Sequence, residues 1–124
     1  MAEAGRHISI VDDDDAVRDS VCALLRTYGF SVRDYPSARS FLDDPQRTDT
    51  ICVLLDLHMP VINGLELLKF LRSEGTTSPV IIMTGRGDAL SMSQAHQSNA
   101  AAYLHKPVEE ESLLHAIQQA VIAE

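Results

Sequence analysis

Four short segments carry side chains suited to metal and phosphoryl chemistry: the run Asp12-Asp13-Asp14-Asp15, Asp56 in LLDLHMP, Thr84 in MTG, and Lys106 in HKP. Carboxylates bind hard divalent cations, and one of them can also attack phosphorus. A hydroxyl donates to phosphoryl oxygens, and an ammonium balances their charge. Each of the four closes an apolar run, HISIV, ICVLL, PVIIM or AAYLH. A parallel sheet would gather all four at one edge, because ligands of open α/β sheets bind outside the carboxyl ends of the strands.

Carboxylates crowded at such an edge repel one another, so their ionisation requires a cation or raised pKa values. The donors are oxygens, and none of the five histidines pairs at metal-ligand spacing. That set favours magnesium, with manganese as the alternative. Lys106 would then stand on the far side of Asp56, Thr84 would offer its hydroxyl, and Asp56 would remain as the nucleophile that forms an acyl phosphate. Asp14 and Asp15, further along the run, read instead as helix N-terminal caps.

The elements that must hold these residues alternate. HISIV (7–11) is followed by Val17, Val21, Leu24, Leu25 and Tyr28 at helical spacing, with Gly29 as the stop. SVRDY (31–35) is a short strand, and Pro36-Ser37 opens a brief helix carrying Phe41 and Leu42. ICVLLD (51–56) is apolar almost throughout and suits a central strand covered on both faces. In GLELLKFLRSEG, Leu65, Leu68 and Leu71 share a face, ending at Gly75, while Asn63 and Gly64 shape the preceding turn and helix start. PVIIM (79–83) is a fourth strand. GDALSMSQAHQSN has helical length but a thin apolar face of Ala89, Met92 and Ala95. AAYLH (101–105) is the last strand, and the closing helix turns Leu113, Ile117 and Val121 inward. Five βα units with right-handed crossovers predict a doubly wound, five-stranded parallel sheet with helices on both faces. With the flavodoxin-like order 2-1-3-4-5, Asp12 and Asp13 meet Asp56 across the switch point.

Composition narrows the class. A chain of 124 residues, 45% hydrophobic, is one domain long. Its net charge of -8 argues against direct binding to nucleic acid or an anionic membrane surface. Cys22 and Cys52 form no C-x-x-C pattern and read as reduced thiols. MAEAGRH lacks the apolar core of a signal peptide, so a soluble, cytoplasmic protein is expected.

Taken together, VDDDDAVR, LLDLHMPVINGLELL, VIIMTGRGD and AAYLHKP resemble the receiver domain of two-component response regulators, from about His7 to the C-terminus. The phrasing is most similar to receivers that precede helix-turn-helix domains in nitrogen-fixation regulators. The resemblance implies a single receiver domain over 1–124 with no output domain present. It implies phosphoryl transfer to Asp56 from a histidine kinase or a histidine phosphotransfer protein. It further implies metal ligation by Asp13, Asp12 through water, Asp56 and the backbone carbonyl of His58. Thr84 and Tyr103 would form a switch read by a downstream partner or a missing output domain, and Lys106-Pro107 would be cis. No turnover is implied beyond self-phosphorylation and autodephosphorylation.

His58 and Arg86 stand two places beyond Asp56 and Thr84, positions from which they can tune water access to an acyl phosphate. Asn99 and Val108 depart from the glycine and phenylalanine common in the family, and SMSQAHQSN lacks the apolar surface that supports dimers of some relatives. Two rivals remain. A haloacid-dehalogenase-type phosphatase would need a second aspartate where His58 stands, and a phosphorylation-independent interaction module would not use the acidic pair. A nucleotide-binding role has neither G-x-G-x-x-G nor a P-loop behind it.

Overall fold

The computed structural model describes residues 5–85 and 89–122, with the backbone alone for 89–92 and 122. Five strands, β1 (His7–Val11), β2 (Val32–Tyr35), β3 (Thr50–Asp56), β4 (Val80–Thr84) and β5 (Ala102–His105), alternate with five helices. The helices are α1 (Asp15–Thr27), α2 (Ala38–Asp43), α3 (Gly64–Ser73), α4 (Ala89–Gln97) and α5 (Glu110–Ile122). All strands are parallel in the order β2-β1-β3-β4-β5, as expected from the alternating pattern.

The two faces of the sheet build two cores. Val11, Val53, Leu55, Val80 and Ile82 pack with Phe41 of α2, Leu67, Leu68 and Leu71 of α3, and Ala95 of α4. Ile8, Ile10, Cys52, Leu54, Ile81 and Met83 pack with Val21, Cys22 and Leu25 of α1 and with Leu113 and Ile117 of α5. Burial on both faces explains why β3 and β4 read as nearly unbroken apolar runs. Each fully buried aliphatic side chain contributes about 1.5–3 kcal/mol.

The helix ends carry sequence-coded caps. Asp14 caps α1, accepting from the amides of Ala16 and Val17, and Asn63 and Glu66 form a reciprocal capping box at α3. Gly29 and Gly75 take positive φ after α1 and α3.

Some details differ from the pattern reading. Tyr28 is exposed at the end of α1, where its hydroxyl reaches Glu110 of α5. The buried row of α3 runs through Leu67, Leu68 and Leu71, leaving Leu65 half-buried, because Gly64 rather than Leu65 faces the sheet. A 3-10 turn at Pro45–Asp49, capped by Asp44, lies between α2 and β3. Ala95 is buried as expected, whereas Ala89 and Met92 have side chains outside the described residues. Among the described residues no helix is long and apolar enough to cross a membrane.

Candidate functional site

Asp12 follows β1 directly, and its amide extends the ladder to Tyr35 O at 3.1 Å. Its side chain is fully buried, and Oδ1 accepts the Asp14 amide at 2.9 Å. The β1–α1 connection is held from outside by Arg18, which donates to Asp12 O at 2.8 Å and to Asp34 Oδ2 at 3.0 Å, and also pairs with Asp15. Asp13 projects into solvent beside Asp12.

Asp56 is the last residue of β3, in register with Met83 of β4. It is 4% exposed, and Oδ1 accepts the His58 amide at 3.2 Å. Burial, followed by the charge of Asp12, pushes its carboxyl above the ordinary range, against the opposing pull of Lys106 and the His58 amide. Close packing of α3 on this strand end needs a residue without a side chain at position 64. A Cβ on Gly64 would lie 2.1 Å from the Asp56 carbonyl oxygen.

β4 and β5 bring the other two groups. Thr84 is fully buried at the end of β4, and its carbonyl accepts the Lys106 amide at 2.9 Å. Lys106 Nζ reaches Asp12 Oδ2 at 2.7 Å and Asp56 Oδ2 at 3.5 Å. Burial alone would lower the Lys106 pKa, but its contact with Asp12 and the charges of both carboxylates outweigh burial and raise it. The Lys106–Pro107 bond is cis. Tyr103 is half-buried, its enclosed hydroxyl has no hydrogen-bond partner among the described residues, and its ring lies 6.3 Å from that of His96.

The fit to a divalent cation can be judged from the donors. Asp12, Asp13 and Asp56 each offer an oxygen, and these lie within 4.8 Å of one another. Asp12 Oδ2 is buried and lies 2.7 Å from the Lys106 ammonium, its ion-pair partner among the described residues. A hard, all-oxygen donor set suits magnesium or manganese.

A family model described as the response regulator receiver domain matches residues 8–118. The chain belongs to the response regulator receiver family. This receiver is 40% identical over 111 residues to the transcriptional regulatory protein FixJ of Azorhizobium caulinodans, covering 90% of this chain and 53% of that protein. It is 36% identical over 121 residues to the response regulator protein TodT of Pseudomonas putida, covering 98% of this chain and 53% of that one. The receiver thus spans about half the length of these curated relatives. Among solved structures, FixJ-N superposes with a TM-score of 0.84 at 31% identity, covering 98% of this chain and 96% of that one. Vibrio cholerae chemotaxis protein CheY4 superposes at 0.84 and 25% identity, covering 93% of this chain and 98% of that one.

Of the residues singled out from sequence, the receiver brings Asp12, Asp13, Asp56 and Lys106 into one cluster, with Thr84 at the adjoining strand end. His58 contributes its amide, while its side chain is exposed. Arg86 lies outside the described residues. Asn99 takes the left-handed conformation at φ 66, which asparagine tolerates, and Val108 packs at the edge of the α1–α5 core. Arg18 carries no signal of this role in the sequence, although it lies inside VDDDDAVR, three residues after Asp15.

Proposed function

We propose that this receiver accepts a phosphoryl group on Asp56 from a phosphohistidine of a sensor histidine kinase or phosphotransfer protein. An Asp56 oxygen attacks phosphorus, the phosphorus–nitrogen bond of the donor breaks with its electron pair passing to the imidazole, and that ring takes a proton from solvent. The product is an acyl phosphate, which water later hydrolyses. The single observation that carries this reading is the buried Asp56 carboxylate set between the Lys106 ammonium and an oxygen cluster with Asp12 and Asp13.

Asp12, Asp13 and Asp56, with the His58 carbonyl, would hold magnesium, which when bound offsets the charge of the carboxylates and of the incoming phosphoryl oxygens. The remaining roles fall to the chain. Lys106, kept protonated by its two carboxylate neighbours, pairs with a phosphoryl oxygen, and Thr84 donates its hydroxyl to another. Such a transfer asks for positioning and charge balance more than for acid–base chemistry, and the site offers those. Thr84 moving toward the phosphoryl group and Tyr103 shifting in its compartment would alter the α4–β5 surface. His58 and Arg86 set the access of water. The receiver acts in the cytoplasm, and its signal passes either to an output domain of a longer chain or to a separate protein.

Intact mass after incubation with acetyl phosphate tests the chemistry. One phosphoryl increment that requires magnesium and is absent from Asp56→Asn is expected. No increment, together with no magnesium-dependent binding of beryllofluoride, would leave the phosphorylation-independent module as the better reading.

A further inference from the structure

Arg72 stands in the last turn of α3, and its guanidinium joins two connections that are distant in sequence. Nη1 donates to Thr76 O at 2.9 Å and Ser78 O at 3.1 Å, both between α3 and β4. Nη2 donates to Asn99 O at 3.2 Å, in the turn from α4 into β5. Among the described residues no carboxylate lies within ion-pair distance of Arg72, so carbonyl dipoles alone offset its partly buried charge.

The described side chains of α4 add little to hold the element in place. Among the described α4 side chains, 93–97, Ala95 alone is buried, and a methyl group brings little apolar area. The turn after α4 is narrow: Asn99 sits at φ 66, its amide donates to His96 O at 3.0 Å, and Ala101 N–H reaches Val80 O at 2.7 Å. Directly beyond it β5 carries Tyr103, whose ring faces His96 of α4. A displacement of α4 therefore changes the compartment that encloses the Tyr103 hydroxyl.

We propose that Arg72 is a positioning residue for the switch: by holding the Asn99 carbonyl it fixes the α4–β5 turn to the end of α3 and sets how readily α4 and Tyr103 rearrange when Asp56 is phosphorylated. This rests on the receiver switch described above. In an equilibrium between two arrangements, removing a tie made in the resting one shifts the population toward the other. Phosphorylation is coupled to that equilibrium and accelerates.

The test compares the full chain with Arg72→Met, which keeps the aliphatic stem, and Arg72→Lys, whose single ammonium cannot span both connections. Amide hydrogen exchange is measured without phosphodonor, and acyl-phosphate formation is followed with acetyl phosphate and saturating magnesium. In Arg72→Met the amides of 97–103 should exchange about tenfold faster while those of β1 and β3 are unchanged, as expected for loss of a charge-assisted hydrogen bond from a locally opening unit. Phosphorylation should be about threefold faster, with Arg72→Lys between the two proteins. If Arg72→Met does not fold, the test passes to Arg72→Lys, in which exchange at 97–103 and phosphorylation should both be faster than in the wild type. Uniformly faster exchange, unchanged exchange, or local loosening with an unchanged phosphorylation rate would each overturn the proposal. A wild-type protein that takes no phosphoryl group would instead overturn the reading beneath it, and is told apart because the failure precedes any substitution.

Discussion

Lys106 Nζ lies 2.7 Å from the fully buried Oδ2 of Asp12, closer than its 3.5 Å approach to Asp56. The ammonium therefore belongs to the acidic cluster as a whole and serves as its resident counter-charge. Replacing one member of such a pair leaves the other buried and uncompensated. Lys106→Met should lose about 3 kcal/mol, the lower end for a broken buried pair, since the lysine keeps some contact with solvent. Added magnesium should restore more stability to the variant than to the wild type, because Asp12 and Asp56 then lose the ion-pair partner they share among the described residues. Urea denaturation with and without magnesium measures both. Equal stabilisation of the two proteins would contradict this account of Lys106.

The raised pKa of Asp56 fixes a sign. Burial and the charge of Asp12 make the folded protein bind a proton at this site more readily than the unfolded chain, whose carboxylate titrates near 3.8. The ionised group therefore costs stability at neutral pH, and that cost fades as pH falls from the raised value toward the unfolded one. Asp56→Asn should be more stable than the wild type at pH 7 without divalent cation, with the gap narrowing as pH is lowered into the carboxylate range. Thermal denaturation across that range checks it. A gap that widens on acidification would show that Asp56 is held as an anion by its neighbours.

What could be read in advance was whatever side-chain pattern encodes. Apolar runs ending in Asp12, Asp56, Thr84 and Lys106 marked both the strands and the edge where they meet, since alternation and strand ends follow from side-chain type. Contacts made to backbone atoms leave no such mark. Arg18 on the Asp12 carbonyl and Arg72 on three carbonyls look in sequence like ordinary helix-surface charges. Polar groups that satisfy one another inside the core are equally silent: Ser9 and Thr50 share a hydrogen bond of 2.7 Å within the sheet, where Ser9 looks like a break in an apolar run and Thr50 like its polar edge. Backbone strain is hidden as well. Val61 sits at φ 68 and 97% exposed, a conformation that β-branched residues rarely take, and nothing in LHMPVIN announces it.

Gly64 shows how a turn residue can be a packing residue. Its capping neighbour Asn63 explains why a helix starts there, but the absence of a Cβ explains why α3 can lie against the end of β3. In Gly64→Ala the new methyl would meet the Asp56 carbonyl oxygen at 2.1 Å and Leu57 Cα at 2.8 Å, both backbone atoms that cannot rotate away. Either α3 or the Asp56 strand end must move. A loss of about 3 kcal/mol is expected by denaturant unfolding, together with slower phosphorylation of Asp56. A variant with wild-type stability would mean that the α3 start slides freely, and the tight strand end would then have no bearing on the site.

Arg18 offers the clearest separation of holding a site from forming it. It is not among the residues proposed to meet the phosphoryl group, yet it binds the carbonyl of Asp12, the side chain of Asp15 at the start of α1, and Asp34 in β2. These contacts fix the backbone from which Asp12 and Asp13 project. In Arg18→Ala, stability should fall by about 1–2 kcal/mol, as for the loss of hydrogen bonds to charged partners. Manganese affinity, read by electron paramagnetic resonance, should weaken about tenfold, in the manner of groups that orient metal ligands from behind. Arg33→Ala serves as the control, since this arginine is more exposed than Arg18, its contact with Asp44 is 3.5 Å long, and an ion pair of that kind is worth little. If Arg18→Ala lost stability but bound manganese as the wild type does, the arginine would be a staple of the fold alone. Asp12 and Asp13 would then owe their placement to the β1 ladder and the Asp14 cap.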